Sequence, residues 1–215
     1  MSVSADAVAT EPSADLAALI GARICHDLVS PVGAISNGVE LLSLGGAAPS
    51  GPELALVAES CASAEARLRF YRVAFGTQTA AEAIAAGEIA RLAAGYLADT
   101  RLALDWQADA ALPRGEVQLG FLALMCAGAA LPRGGTVQVT RPGGRTGGHT
   151  GGRWHLAAEG PRLAADPALW ARLSSPGGAD LPPSQVEFLL LGFCAGAAGR
   201  SPEVQIGEHA LALTV

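Results

Sequence analysis

Residues 22–31 read Ala22-Arg23-Ile24-Cys25-His26-Asp27-Leu28-Val29-Ser30-Pro31, and the helix they belong to decides the architecture. At about 100° per residue, Ile20, Ile24, Leu28, Ile35, Val39 and Leu42 fall on one side as a core stripe. His26 projects almost opposite, among Ala22, Arg23, Ser30, Gly33 and Asn37, all polar or small. The imidazole is therefore expected to face solvent in mid-helix. Pro31 stands one turn further on, where it removes a backbone donor and costs about 3 kcal/mol. A kink just beyond His26 is expected there.

Working outward, this helix is expected to begin at residue 13, with Ser13 as N-cap and Asp15 in its first turn, after a disordered tail over residues 1–12. It runs to about residue 44, where Gly45-Gly46-Ala47-Ala48-Pro49-Ser50-Gly51-Pro52 breaks it. A second helix reaches residue 75 and is ended by Gly76. Its apolar residues Leu54, Val57, Cys61, Ala64, Leu68, Tyr71 and Phe75 recur in steps of three and four, the seam of a helix in a bundle. Two helices alone cannot enclose a core. Pairing two such hairpins into a four-helix bundle does, so a homodimer with two outward-facing histidines is expected.

After Gly76 the pattern changes. Helices are predicted over 80–97, 114–130, 167–173 and 184–199, and strands over 101–106, 136–141, 153–158, 203–207 and 210–215. Helices alternating with short, partly antiparallel strands read as an α/β sandwich with helices on one sheet face. The fold class is thus α+β, a helical hairpin over residues 13–76 followed by a sandwich domain over 80–215. Trp106, Trp154 and Trp170 are assigned to the domain core, and His149, His155 and His209 to structure or surface.

Composition removes several function classes. The net charge is −6 and the pI about 5.2, against the basic footprint that a nucleic-acid binder needs. Residues 120–131 and 188–198 are the longest apolar runs and are too short for a bilayer, which takes about 20 residues. They read as buried helices, and no membrane-spanning segment is expected. The N-terminal stretch has no basic n-region and no apolar h-region, so it is not read as a signal peptide. Cys25, Cys61, Cys126 and Cys194 form no CxxC pair and read as small buried thiols of a reducing cytoplasm, with no metal site.

The run His26-Asp27-Leu28-Val29-Ser30-Pro31 resembles the H-box of dimerising histidine-kinase domains. Residues 22–31, together with Arg72-Val73-Ala74-Phe75-Gly76, Leu104-Asp105-Trp106-Gln107, Ala129-Ala130-Leu131-Pro132 and Gly207-Glu208, resemble the ChpT family of histidine phosphotransferases. The resemblance implies a homodimer whose C-terminal domain is shaped like a kinase ATP-binding domain but binds no ATP. It implies His26 as phospho-acceptor, with partners in the receiver domain of a hybrid kinase and in response regulators. No cofactor of its own is implied, the Mg²⁺ being carried by the receiver. By resemblance to H-box kinases, Asp27 holds Nδ1 and leaves Nε2 as the nucleophile. On residues alone, a solvated acid and a plain surface histidine stay open.

An active kinase is excluded on residues. Asn37, in the first helix, is the sole asparagine, so the Mg²⁺-holding asparagines of that family are missing, and there is no D-x-G-x-G. Gly143-Gly144-Arg145-Thr146-Gly147-Gly148 links two predicted strands, whereas a phosphate loop opens a helix; it reads as a flexible hairpin tip. For a docking receiver, Ser30 lines the approach to His26, Gly33 allows a helix to come close, Asn37 lies on the same face, and Arg23 steers an acidic pocket. Antiparallel pairing of the two helices places Arg69 level with His26, and Arg67 and Arg72 a turn away, as candidate grips on the phosphoryl group or the receiver. A non-catalytic dimeric scaffold that binds receivers is the competing reading.

Overall fold

The computed structural model describes residues 12–44, 51–77, 83–142, 152–177 and 180–215. The glycine-rich segment with His149, the tail before residue 12 and the 78–79 boundary lie outside them. In chain order the elements are α1 (Pro12–Leu44), α2 (Pro52–Ala74), β1 (Ala83–Ile84), α3 (Ala86–Leu97), β2 (Leu102–Gln107), β3 (Leu112–Pro113) and α4 (Arg114–Ala129). They continue with β4 (Gly135–Thr140), β5 (His155–Glu159), α5 (Pro167–Ala171), a 3₁₀ turn (Pro183–Gln185), α6 (Val186–Ala197), β6 (Glu203–Ile206) and β7 (Ala210–Thr214). The fold is α+β, with an N-terminal helical hairpin ahead of a mixed sheet.

The five-stranded sheet has the order β2-β4-β5-β7-β6. β2 and β4 run parallel and every other pair is antiparallel. Burial alternates along β5 and β7, so one face of the sheet is covered while the other meets water. The cover is α4, buried from Val117 to Ala127, with α6 packed against it. Gly120 makes the fit possible: a Cβ there would sit 2.7 Å from Cε2 of Trp154, whose indole is fully buried and donates Nε1–H to the Glu116 carbonyl at 2.8 Å.

The hairpin is not a free appendage. Phe70 stacks between Tyr96 (4.0 Å) and Phe121 (4.3 Å), so the last turns of α2 belong to the same core as α3 and α4. Gln118 of α4 donates Nε2–H to the carbonyls of Ala74 and Gly76, satisfying orphan acceptors at the end of α2. Where α1 and α2 pass closest, Gly38 is buried, and a Cβ there would collide with Cγ2 of Val57.

Several expectations are corrected. α1 is described from Pro12, one residue before the expected start at Ser13. The predicted helix 80–97 begins only at Ala86, because Ala83–Ile84 pairs with Leu112–Pro113 as a two-stranded ribbon. Pro31, where a kink is expected, lies inside α1 with its ring buried. Over Asp15–Ser43, α1 is long and apolar enough to cross a membrane by length and composition, contrary to the expectation that no segment is; a packed helix passes the same test. Cys25 and Cys61 are exposed in the single chain; only Cys126 is fully buried.

Of the expected core stripe of α1, Ile20, Ile24, Leu28, Ile35 and Leu42 are half-buried, whereas Val39 is 50% exposed. Outside the stripe, Pro31 and Gly38 are buried and Val32 is 51% exposed. On α2, Leu54 and Leu68 are also exposed, as is Cys61 midway between them. These two heptad-spaced stripes have no cover among the described residues.

Candidate functional site

His26 sits midway along α1 with its side chain 78% exposed. Its Nδ1 lies 3.0 Å from Oδ1 of Asp27, a carboxylate only 12% exposed. The other oxygen, Oδ2, accepts from Arg23 Nε at 2.7 Å, across one turn of α1, and from the Tyr71 hydroxyl of α2. Burial opposes the ionised carboxyl of Asp27, but hydrogen bonds from His26 and Tyr71 and the charge of Arg23 outweigh it and hold its pKa below the usual range. An ionised carboxylate can only accept, so Nδ1 of a neutral His26 must carry the proton. The lone pair is then on Nε2, facing solvent. Burial, the neighbouring Tyr96 phenol and the hydrogen bond to the Asp27 carboxylate push the Tyr71 hydroxyl far up, so it stays a donor.

Arg23 extends the network into the C-terminal half. Its Nη1 donates to the Ser184 carbonyl at 2.5 Å and lies 3.4 Å from Oε2 of Glu187, in the first turn of α6. Glu187 is 1% exposed, and burial pushes its carboxyl up to about 7 although Arg23 opposes the shift. The folded chain therefore holds this proton more tightly than the unfolded one. Stability from this group is full below about pH 4.5 and is lost as pH rises through about 7. Thermal midpoints measured from pH 5 to pH 8 should accordingly fall, and Glu187→Gln should flatten that slope. A slope unchanged in the variant would place the titration elsewhere.

The expected site residues separate into three groups. Ser30, Gly33 and Asn37 are exposed on α1 with His26, and a Cβ built at Gly33 meets nothing within 4 Å. Arg23 is corrected: at 13% exposure, and held by Asp27, Ser184 and Glu187, it is a strut between α1 and α6 and not a free steering charge. Arg69 is corrected as well. It pairs with Glu65 at 2.5 Å and lines a groove of about 580 Å³ with Arg72, Arg91 and Arg114, to which α1 contributes no residue. The groove lies between α2, α3 and β1, because Arg69 occupies the α3-facing side of α2. Arg67 faces a different cavity, of about 290 Å³, together with Arg23, Asp27 and Glu187; its Nη2 lies 3.8 Å from Asp99.

Sequence reasoning missed Tyr71 and Glu187. Tyr71 was read as part of the apolar seam, yet it is 3% exposed, and a buried phenol needs a partner. Glu187 carried no signal in the sequence beyond an acid at the start of an apolar run. Of the other histidines, His155 and His209 are exposed, on β5 and beyond β6. No group of three or more metal-binding side chains occurs among the described residues.

The arrangement leaves one imidazole nitrogen with a lone pair open to solvent. The family model for the histidine phosphotransferase C-terminal domain matches residues 86–210, and the chain belongs to that family. It is 41% identical over 134 residues to the protein phosphotransferase ChpT of Brucella abortus (strain 2308), a match covering 61% of this chain and 63% of the relative's length. A solved bacterial phosphotransferase superposes at a TM-score of 0.76 with 30% identity, covering 99% of this chain and 98% of the other. The family match begins downstream of His26.

Proposed function

We propose that this chain is the histidine phosphotransferase of a bacterial two-component phosphorelay. It takes a phosphoryl group on His26 from the receiver-domain aspartate of a hybrid kinase and passes it to the receivers of response regulators. The observation that carries this reading is the solvent-exposed imidazole whose Nδ1 lies against a half-buried, ionised carboxylate. In the forward step the Nε2 lone pair attacks phosphorus, the bond to the aspartyl oxygen breaks, and that aspartate leaves as a carboxylate. No proton has to move. The ring, keeping its Nδ1–H, becomes cationic when the N–P bond forms, and Asp27 faces that charge at 3.0 Å. The Mg²⁺ that shields the phosphoryl oxygens belongs to the receiver.

The two uncovered stripes support a homodimer in which two hairpins form a four-helix bundle. The division of labour that follows has residues 13–76 dimerising and carrying phosphate, and residues 80–215 forming a degenerate ATPase-like domain that offers receivers a second surface. ATP is not a ligand in this reading, since the sole asparagine, Asn37, lies on α1. The protein acts in the cytoplasm, where receivers reside.

The decisive experiment is incubation with a phosphorylated receiver domain, scoring acid-labile phosphate on this chain. A variant separates docking from chemistry. Gly33 is open to solvent two turns from His26, so Gly33→Leu should leave thermal stability unchanged while obstructing an approaching receiver helix. Transfer from the receiver should slow at least tenfold, about 1.4 kcal/mol of transition-state stabilisation. Phosphoramidate, which needs no docking, should still label His26 at a near-normal rate. Equal loss with both donors, or none with either, would remove Gly33 from the docking surface.

A further inference from the structure

We propose that Glu187 is a positioning residue for His26, acting through Arg23 and Asp27, so that the C-terminal domain sets the tautomer of the phospho-acceptor. The proposal rests on the reading of His26 as that acceptor. Three links in series carry it: Glu187 Oε2 to Arg23 Nη1, Arg23 Nε to Asp27 Oδ2, and Asp27 Oδ1 to His26 Nδ1.

On α1 alone the first link is absent. An isolated Arg–Asp pair one turn apart is worth a few tenths of a kcal/mol and fixes neither side chain. Here the guanidinium is gripped from the far side by Glu187 and by the Ser184 carbonyl, both from the segment entering α6. A guanidinium is a rigid planar fork, so fixing Nη1 also fixes the direction in which Nε points. That direction commits Oδ2 of Asp27 to Arg23 and Tyr71, leaving Oδ1 for the imidazole.

Glu187 is suited to hold rather than to balance charge at a surface. At 1% exposure, an acid of this kind needs a partner, and the cation it finds comes from another element 164 residues away. The charged and titratable groups around it are Arg23 and Asp27 on α1, Arg67 on α2, Tyr96 on α3 and Cys126 on α4. The cavity of about 290 Å³ beside these groups gives the guanidinium room to swing if the α6 side lets go.

The test is nitrogen NMR of the His26 ring in the full-length protein at pH 8, without any phosphodonor. Wild type should show the proton on Nδ1. Glu187→Ala should shift His26 toward the tautomer mixture of an unconstrained imidazole, and Glu187→Gln, which keeps an oxygen acceptor for Nη1, should restore much of the wild-type signal. Arg23→Lys, which keeps the charge but loses the fork, should behave like Glu187→Ala and serves as the second variant should the first fail to fold. Glu203→Gln, at an exposed pair with Arg153, is the control and should change nothing. Labelling by phosphoramidate should slow at least threefold in Glu187→Ala and recover in Glu187→Gln. An unaltered His26 tautomer in both Glu187→Ala and Arg23→Lys overturns the proposal. If instead wild type takes no phosphate while the tautomer responds as expected, the phosphotransfer reading fails and the positioning role stands.

Discussion

Replacing His26 by alanine is expected to abolish phosphoryl acceptance outright, with labelling from a phosphorylated receiver falling to background. The fold should be indifferent. The imidazole is 78% exposed and makes one side-chain contact, to Asp27, so its removal opens no cavity and leaves Asp27 with Arg23 and Tyr71 as partners. Melting temperature and oligomeric mass should match wild type. The contrast with His155 and His209 makes the expectation specific. Nδ1 of His155 lies 3.2 Å from a threonine hydroxyl, and His209 faces an exposed glutamate at 3.7 Å. Neither has a half-buried, ionised carboxylate to hold one tautomer. Acid-labile phosphate retained on the alanine variant would move the acceptor to another histidine and end the reading of α1 as the site.

The second large effect concerns assembly. Leu68 is 46% exposed in the single chain and lies one heptad from Cys61 and two from Leu54. In a two-hairpin bundle that stripe is interior. Leu68→Asp then places an unpaired charge in the interface once per copy, costing several kcal/mol each time. The dimer should weaken by at least a thousandfold, about 4 kcal/mol, and light scattering at micromolar concentration should report monomer. The C-terminal domain should survive, because Phe70, Tyr71, Val73 and Ala74 anchor α2 in its core independently of Leu68. A dimer of unchanged affinity would show that the hairpin's apolar stripes are not the interface.

Much of the architecture was legible in the residues because local signals and tertiary burial agree there. α1 is described to Leu44 and α2 opens at Pro52, within a residue or two of the expected places. The apolar runs of α4 and α6 read as buried helices; α4 is buried from Val117 to Ala127 and α6 from Val186 to Gly192, beyond which Phe193 is 41% exposed. What failed was whatever depends on a distant partner. β1 and β3 have two residues each, too short for any periodicity, and exist because they pair with one another. The predicted helix over 80–97 was too long at its start for the same reason.

The site divides along the same line. The wheel of α1 by itself determined that His26 faces away from the hairpin core, with Ser30, Gly33 and Asn37 beside it, because a helix's faces follow from its 3.6-residue repeat. It also placed an acid next to the histidine. Only the tertiary structure decided that Asp27 is half-buried and ionised, and that Arg23 turns inward to Glu187 instead of outward to a partner. It alone assigned Arg69 to a groove on the opposite side of α2. The physical reason is that a charged side chain's role depends on its nearest opposite charge and its distance from water, and both are properties of the packed chain rather than of the repeat.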